Sequence, residues 1–249
     1  MMAHALSFYI NNNFIKKTMM DFNNQPAMTT GISITQVMRQ VYVKMFLALV
    51  VSAITAYVCV ATPAIMSFML SSQWVYLGCC ILELVMVIAL TGRIAKGGNP
   101  AFATFMFYLF AILNGLTLSV LLLIYTTSSI VATFGITAGV FGAMSLYGYF
   151  TDRDLTGLGT FLFMGVIGLI ICSVVNMFLK STQMEWIISF AGVAIFIGLT
   201  AWDTQKIKRM LATTSAEQAE NVATWGALSL YLDFVNLFIY LLRFFGNRD

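Results

Sequence analysis

Seven apolar runs, at about 43–62, 73–92, 100–124, 129–150, 157–179, 186–204 and 224–245, dominate this chain. Each is near the roughly 20 residues that a helix needs to cross the hydrocarbon core. Inside a bilayer every backbone polar group must be satisfied internally, so such runs become helices. Composition agrees: 60% of the 249 residues are hydrophobic and only 9% are charged, against about 25% in a typical soluble domain. A soluble globule of this size lacks the interior to hide so much apolar surface. The expected fold is therefore an all-α membrane protein, a seven-transmembrane-helix bundle. Residues 1–41 read as a polar cytoplasmic N-terminal tail and 42–249 as the membrane domain. Pro63 and Pro100 mark a span end and a span start, where proline is tolerated. The loops are short except 205–223, which reads as a polar amphipathic segment.

The basic residues give an orientation. With the N-terminus inside, ten of the thirteen lysines and arginines lie on the cytoplasmic side. They include Lys44, Arg93, Lys96 and Arg153, and the fourth inner loop holds Lys206, Lys208 and Arg209. Lys180, Arg243 and Arg248 remain outside. A re-entrant last segment would instead return the C-terminus to the inside. The net charge of +3 is too small to indicate nucleic acid. Cys59, Cys79, Cys80 and Cys172 all fall in apolar runs and read as small packing residues. The only histidine, His4, lies in the tail, so no histidine-based metal site is expected.

Gly135 with Gly139, Gly115 with Ser119, and Gly165 with Gly168 are spaced for close helix contact. The acidic residues carry more information. Glu83 falls in the second run, Asp203 near the end of the sixth and Asp233 in the seventh. An acid at the bilayer centre costs about 2.5–3.5 kcal/mol on insertion scales, so it is normally partnered and functional. Alternation of the spans puts Arg93, Asp203 and Asp233 in the cytoplasmic half. A seventh span starting near residue 224 sets Asp233 about 14 Å deep. Ser229, Asp233, Asn236 and Tyr240 recur every three or four residues, one face of a helix. Lipid would not tolerate that stripe, so the last helix is expected to be central. The competing reading is a buried hydrogen-bond cluster that only fixes packing.

Several stretches are recognisable together: ELVMVIALTGRI from Glu83, NGLTLS from Asn114, FGAMSLYGYFTDRDLTGLG from Phe141, GLTAWDTQKIK from Gly198 and LSLYLDFVNLF from Leu228. Over residues 35–249 the chain resembles a bacterial member of the Bax inhibitor-1 (transmembrane BAX inhibitor motif) family. The resemblance implies a seven-helix bundle around its last helix, and a pH-sensitive calcium leak in the bacterial inner membrane. It further implies that Asp203 and Asp233 form the sensing pair and that Arg93 contacts them.

Chemistry suggests how such a pair gates. Two carboxylates in a poorly hydrated site cannot both ionise easily, so they share a proton and titrate as a unit. The shared proton ties the sixth span to the seventh, and its loss replaces attraction with repulsion. An adjacent Arg93 would stabilise the open, doubly ionised form. Calcium wants six to eight oxygens. Asp203 and Asp233, with Glu83 and Asn236 along a possible ion path, supply only a few, which suits transient passage. No cofactor is expected, and the expected partners are lipid, calcium ions and a membrane protease or other membrane protein.

The rival readings are of other classes. An intramembrane aspartyl protease also uses two aspartates on adjacent helices, but Asp233 lacks flanking glycines to admit a substrate backbone, so no enzyme is expected. A retinal protein needs a lysine in the seventh span, which holds none. The strongest alternative is a non-conducting regulatory protein that modulates a membrane protease or a stress response.

Overall fold

The computed structural model describes residues 33–247. The tail with His4, Lys16, Lys17 and Asp21, and the last two residues, Arg248 and Asp249, lie outside the described residues. Among the described residues nine helices follow one another: α1 (Ile34–Ala61), α2 (Pro63–Leu70), α3 (Gln73–Ala95), α4 (Pro100–Leu118), α5 (Leu121–Ile124), α6 (Thr127–Phe150), α7 (Thr156–Leu179), α8 (Thr182–Thr213) and α9 (Ala216–Phe245). Seven segments are long and apolar enough to cross a membrane, α4 and α5 together making the third. Phe161 and Phe178, 72% and 76% exposed, illustrate an apolar outer surface of the kind that lipid covers.

The elements depart from the sequence-based boundaries in instructive ways. Helix α1 begins at Ile34, so residues 34–41, assigned to the tail, are helical. The cause is the buried series Val37, Met38, Val41, Met45 and Ala48, at three- and four-residue steps, with polar Arg39 and Gln40 turned outward. The expected 205–223 loop is two helix ends joined at Thr214 and Ser215. Ile207 and Leu211 on α8, and Ala219, Val222 and Ala223 on α9, bury an apolar face there. Pro63 does more than end a span: it opens the separate eight-residue helix α2.

The described residues form two compact units. One runs to Val120 and includes Ile207–Leu228, and the other comprises Leu121–Lys206 and the residues from Ser229 on. In the first, α1 packs on α4 and α3 on α4. Gly115 permits the α1–α4 contact, because a β-carbon there would lie 2.5 Å from the Ser52 carbonyl oxygen. The Ser52 hydroxyl donates to the Ala111 carbonyl across the same seam, at 2.7 Å. In the second unit, Gly165 rests on Ile195, whereas Gly135, Gly139 and Gly168 face open space and mediate no close contact. Their spacing therefore does not mark a packing seam. Further close approaches in this unit are made by Gly148, Gly159, Gly192 and Gly198.

Helix α9 is a single helix of 30 residues, about 45 Å long. It is the most buried of the seven spans. Leu228, Leu230, Tyr231, Asp233, Leu237 and Leu242 on it have no exposure to solvent, in line with the expected central last helix.

Candidate functional site

The site grows from four consecutive residues of α8, each sent in its own direction by the helical turn. The Thr204 hydroxyl lies 3.0 Å from the Ser145 hydroxyl on α6 and donates to the Thr200 carbonyl. The Gln205 amide closes the α6–α7 loop: its oxygen accepts from the Leu155 N–H at 3.0 Å, and its nitrogen donates to the Arg153 carbonyl at 2.7 Å. Asp203 and Lys206, three residues apart, share the remaining face.

Small residues bring the neighbouring helices close at this level. A β-carbon at Gly148 on α6 would overlap the Ala201 backbone, and one at Gly159 on α7 would overlap the Trp202 indole. These contacts fix the rotation of α8 just before Asp203.

Asp203 is 2% exposed and Asp233 fully buried. Phe234, next to Asp233, packs edge-on against Phe134 and Phe141 of α6, with ring centroids 5.3 and 5.4 Å apart. Asp233 lies 17 residues after Ala216, about 26 Å along α9. It is therefore farther from the helix start than a span beginning near residue 224 would give.

Lys206 completes the cluster. It was read as part of a cytoplasmic loop, yet it lies within α8 and is 9% exposed. Among the described residues it is the only buried lysine or arginine. Its ammonium sits over the Trp202 ring, 4.3 Å from the centroid. It also interacts electrostatically with Asp203 and, less strongly, with Asp233. The structure thus assembles two carboxylates and one ammonium in a single compact unit. A sequence signal existed in the three-residue spacing of Asp203 and Lys206, but the positive-inside count claimed the lysine first.

The polar stripe of α9 is buried throughout, at Ser229, Asp233, Asn236 and Tyr240. The Asn236 amide donates to the Leu232 carbonyl at 2.6 Å. Tyr240 stacks on Phe196, occupies the space left by Gly192 and lies near Ser173. Ser173 in turn lines a cavity of about 390 Å³ with Asn176, Glu185 and Arg243. The stripe thus extends one step beyond Tyr240, to Arg243 and this cavity.

The other sequence candidates lie in the first unit. Glu83 is held by α4, accepting from the Thr117 hydroxyl at 2.6 Å and from the Asn114 amide at 3.3 Å. Arg93, in the last turn of α3, is exposed and stacks over the Phe102 ring at 4.4 Å. Lys44 turns out to be a partner rather than a bare anchor. It donates to Thr104 and Thr224 at 3.0 and 2.8 Å and lies 3.7 Å from Glu220. Among the described residues no three His, Cys, Asp or Glu side chains converge on one point. A cation at the aspartates would therefore draw its other oxygens from backbone carbonyls and water.

Residues 34–249 match the family described as "Inhibitor of apoptosis-promoting Bax1". The chain is similar to inner membrane protein YbhL of Escherichia coli K12, 44% identical over 85% of this chain and 91% of that protein. It is also similar to uncharacterized protein RP147 of Rickettsia prowazekii, 45% identical over 85% of this chain and 89% of the relative. A Borreliella burgdorferi protein is 43% identical over 84% and 90%.

Proposed function

The chain belongs to the Bax inhibitor-1 family, and from that premise we propose that it is a pH-sensitive, calcium-permeable leak of the bacterial inner membrane, gated by Asp203 and Asp233. The observation that carries this reading is the burial of both aspartates with Lys206 in one compact unit, at one end of a polar stripe. Ionisable side chains inside a membrane are expensive and are retained where they conduct, sense or switch.

The charge count explains the switch. With Lys206 charged, one ionised and one protonated aspartate make the cluster neutral. Loss of the remaining proton leaves a net negative charge on buried side chains. The two carboxylates then repel, α8 and α9 loosen against each other, and a cation is drawn in to restore neutrality. Acid holds the gate closed and deprotonation opens it. Asn236 and Tyr240 continue the polar route toward the cavity at Arg243. Calcium is suited to such passage because a few mobile oxygens bind it weakly enough to let it leave. The N-terminus lies inside, following the charge bias. Arg93, which the resemblance also assigns to the gate, lies in the other compact unit, exposed over Phe102, and takes no part in this charge balance.

The test is calcium entry into liposomes that hold the purified full-length protein, measured across pH. Flux should be low in acid and rise steeply toward alkaline pH. Absence of flux at every pH would favour a second reading, a non-conducting membrane protein that acts on another membrane component. That reading draws support from the charge balance of the cluster, which a packing device alone would also achieve.

A further inference from the structure

Lys206 has no part in the gate as the family resemblance describes it, yet its placement is unusual. A buried lysine in a membrane-spanning helix normally stretches its ammonium to the interface. Here the ammonium stays inside the protein, over the Trp202 ring and within electrostatic reach of both aspartates. Two features hold it there. Gly159 leaves the space that seats the indole, and Gln205 anchors this turn of α8 to the α6–α7 loop. A carboxylate pair facing a positive charge is, electrostatically, a cation site already filled.

We propose that Lys206 is the resident cation of the Asp203–Asp233 site: its ammonium, seated on the Trp202 face, occupies the position a passing cation takes. A cation must displace this tethered charge to bind, and the indole face holds the ammonium while the carboxylates are engaged. The lysine therefore weakens cation binding and keeps the site from becoming a trap. It is a specificity-determining residue, because a divalent cation competes against a fixed single charge better than a monovalent one does. This inference rests on the reading that the aspartates lie on the cation path.

The test is calcium binding to the purified full-length protein in lipid nanodiscs, followed by calorimetry near neutral pH. Lys206→Met, which keeps the length and removes the charge, should bind calcium at least about tenfold more tightly than the wild type. Lys206→Arg should bind no more tightly than the wild type. Lys206→Gln serves if the methionine variant does not fold, with the same expectation. In Lys206→Ala, added butylammonium should compete with calcium, and in the wild type it should not. Unchanged or weaker calcium binding in a Lys206→Met or Lys206→Gln variant that melts like the wild type would overturn the proposal. So would butylammonium that competes equally in wild type and variant. Because binding is read without transport, the two ideas fail separately. Tighter binding in the variant supports the resident cation even if liposomes show no flux. Equal binding removes it even if the wild type conducts.

Discussion

Gly159 on α7 is the seat of the Trp202 indole: a β-carbon at that position would overlap the ring. The same ring carries the Lys206 ammonium on its face. A single hydrogen in place of a side chain thus sets where the buried charge of α8 rests. Gly159→Ala should lower stability by about 1–3 kcal/mol through overpacking. Gly139→Ala, where nothing lies within reach of the new methyl group, should stay within about 0.5 kcal/mol of the wild type. Thermal unfolding in detergent reads both. Equal melting temperatures in the two variants would contradict the close contact.

Glu83 is fastened to α4 by Thr117 and Asn114. Glu83→Gln retains an acceptor for the Thr117 hydroxyl, so the protein should fold and melt near the wild type. If Glu83 attracts cations along the path, calcium flux should fall in amplitude while its pH midpoint stays fixed. Thr117→Val should cost about 0.6–2 kcal/mol, the range for a hydrogen bond between membrane helices. A midpoint that moves in Glu83→Gln would make Glu83 part of the sensor.

Arg93 and Lys206 make competing claims to be the cation that steadies the ionised aspartates. Arg93→Ala should leave the pH at which flux appears unchanged, since Arg93 lies in the other compact unit, stacked on Phe102. Stopped-flow calcium entry at a series of pH values measures the midpoint. A midpoint raised in the variant would return Arg93 to the gate, as the doubly ionised form would then have lost a favourable charge.

Helix α9 runs unbroken over 30 residues, which suits a full crossing better than a re-entrant hairpin. A reporter fused after Asp249 should therefore read outside. One inserted at Ser215, in the α8–α9 link, should read inside. A C-terminal reporter on the inside would reverse the assigned direction of α9.

The number and order of the spans were legible because a bilayer accepts few alternatives: long apolar runs must become helices. The three intramembrane acids were legible for the same reason, since each is costly. What escaped was direction around each helix. Gly135 and Gly139 have the spacing of a packing pair but face open space, and spacing does not say which side a partner occupies. Lys206 was hidden because a basic residue near a span end has an ordinary explanation. Only the continuation of α8 to Thr213 shows that position 206 lies in the interior. The polar stretch after Asp203 read as a loop because the buried apolar residues that continue α8, Ile207 and Leu211, are only two.

The central claim is that Asp203 and Asp233 act as one proton-sharing unit, and a comparison of flux profiles tests it most directly. Calcium entry into liposomes should be followed across pH for the wild type, Asp203→Asn, Asp233→Asn and the double variant. Asparagine keeps shape and hydrogen-bonding capacity but removes an ionisable group. Each single variant should lose the steep pH dependence, because the remaining carboxylate has no like-charged partner. The double variant should resemble the singles rather than their sum, as expected when one coupled unit is broken. Profiles in both single variants that titrate like the wild type would contradict the account.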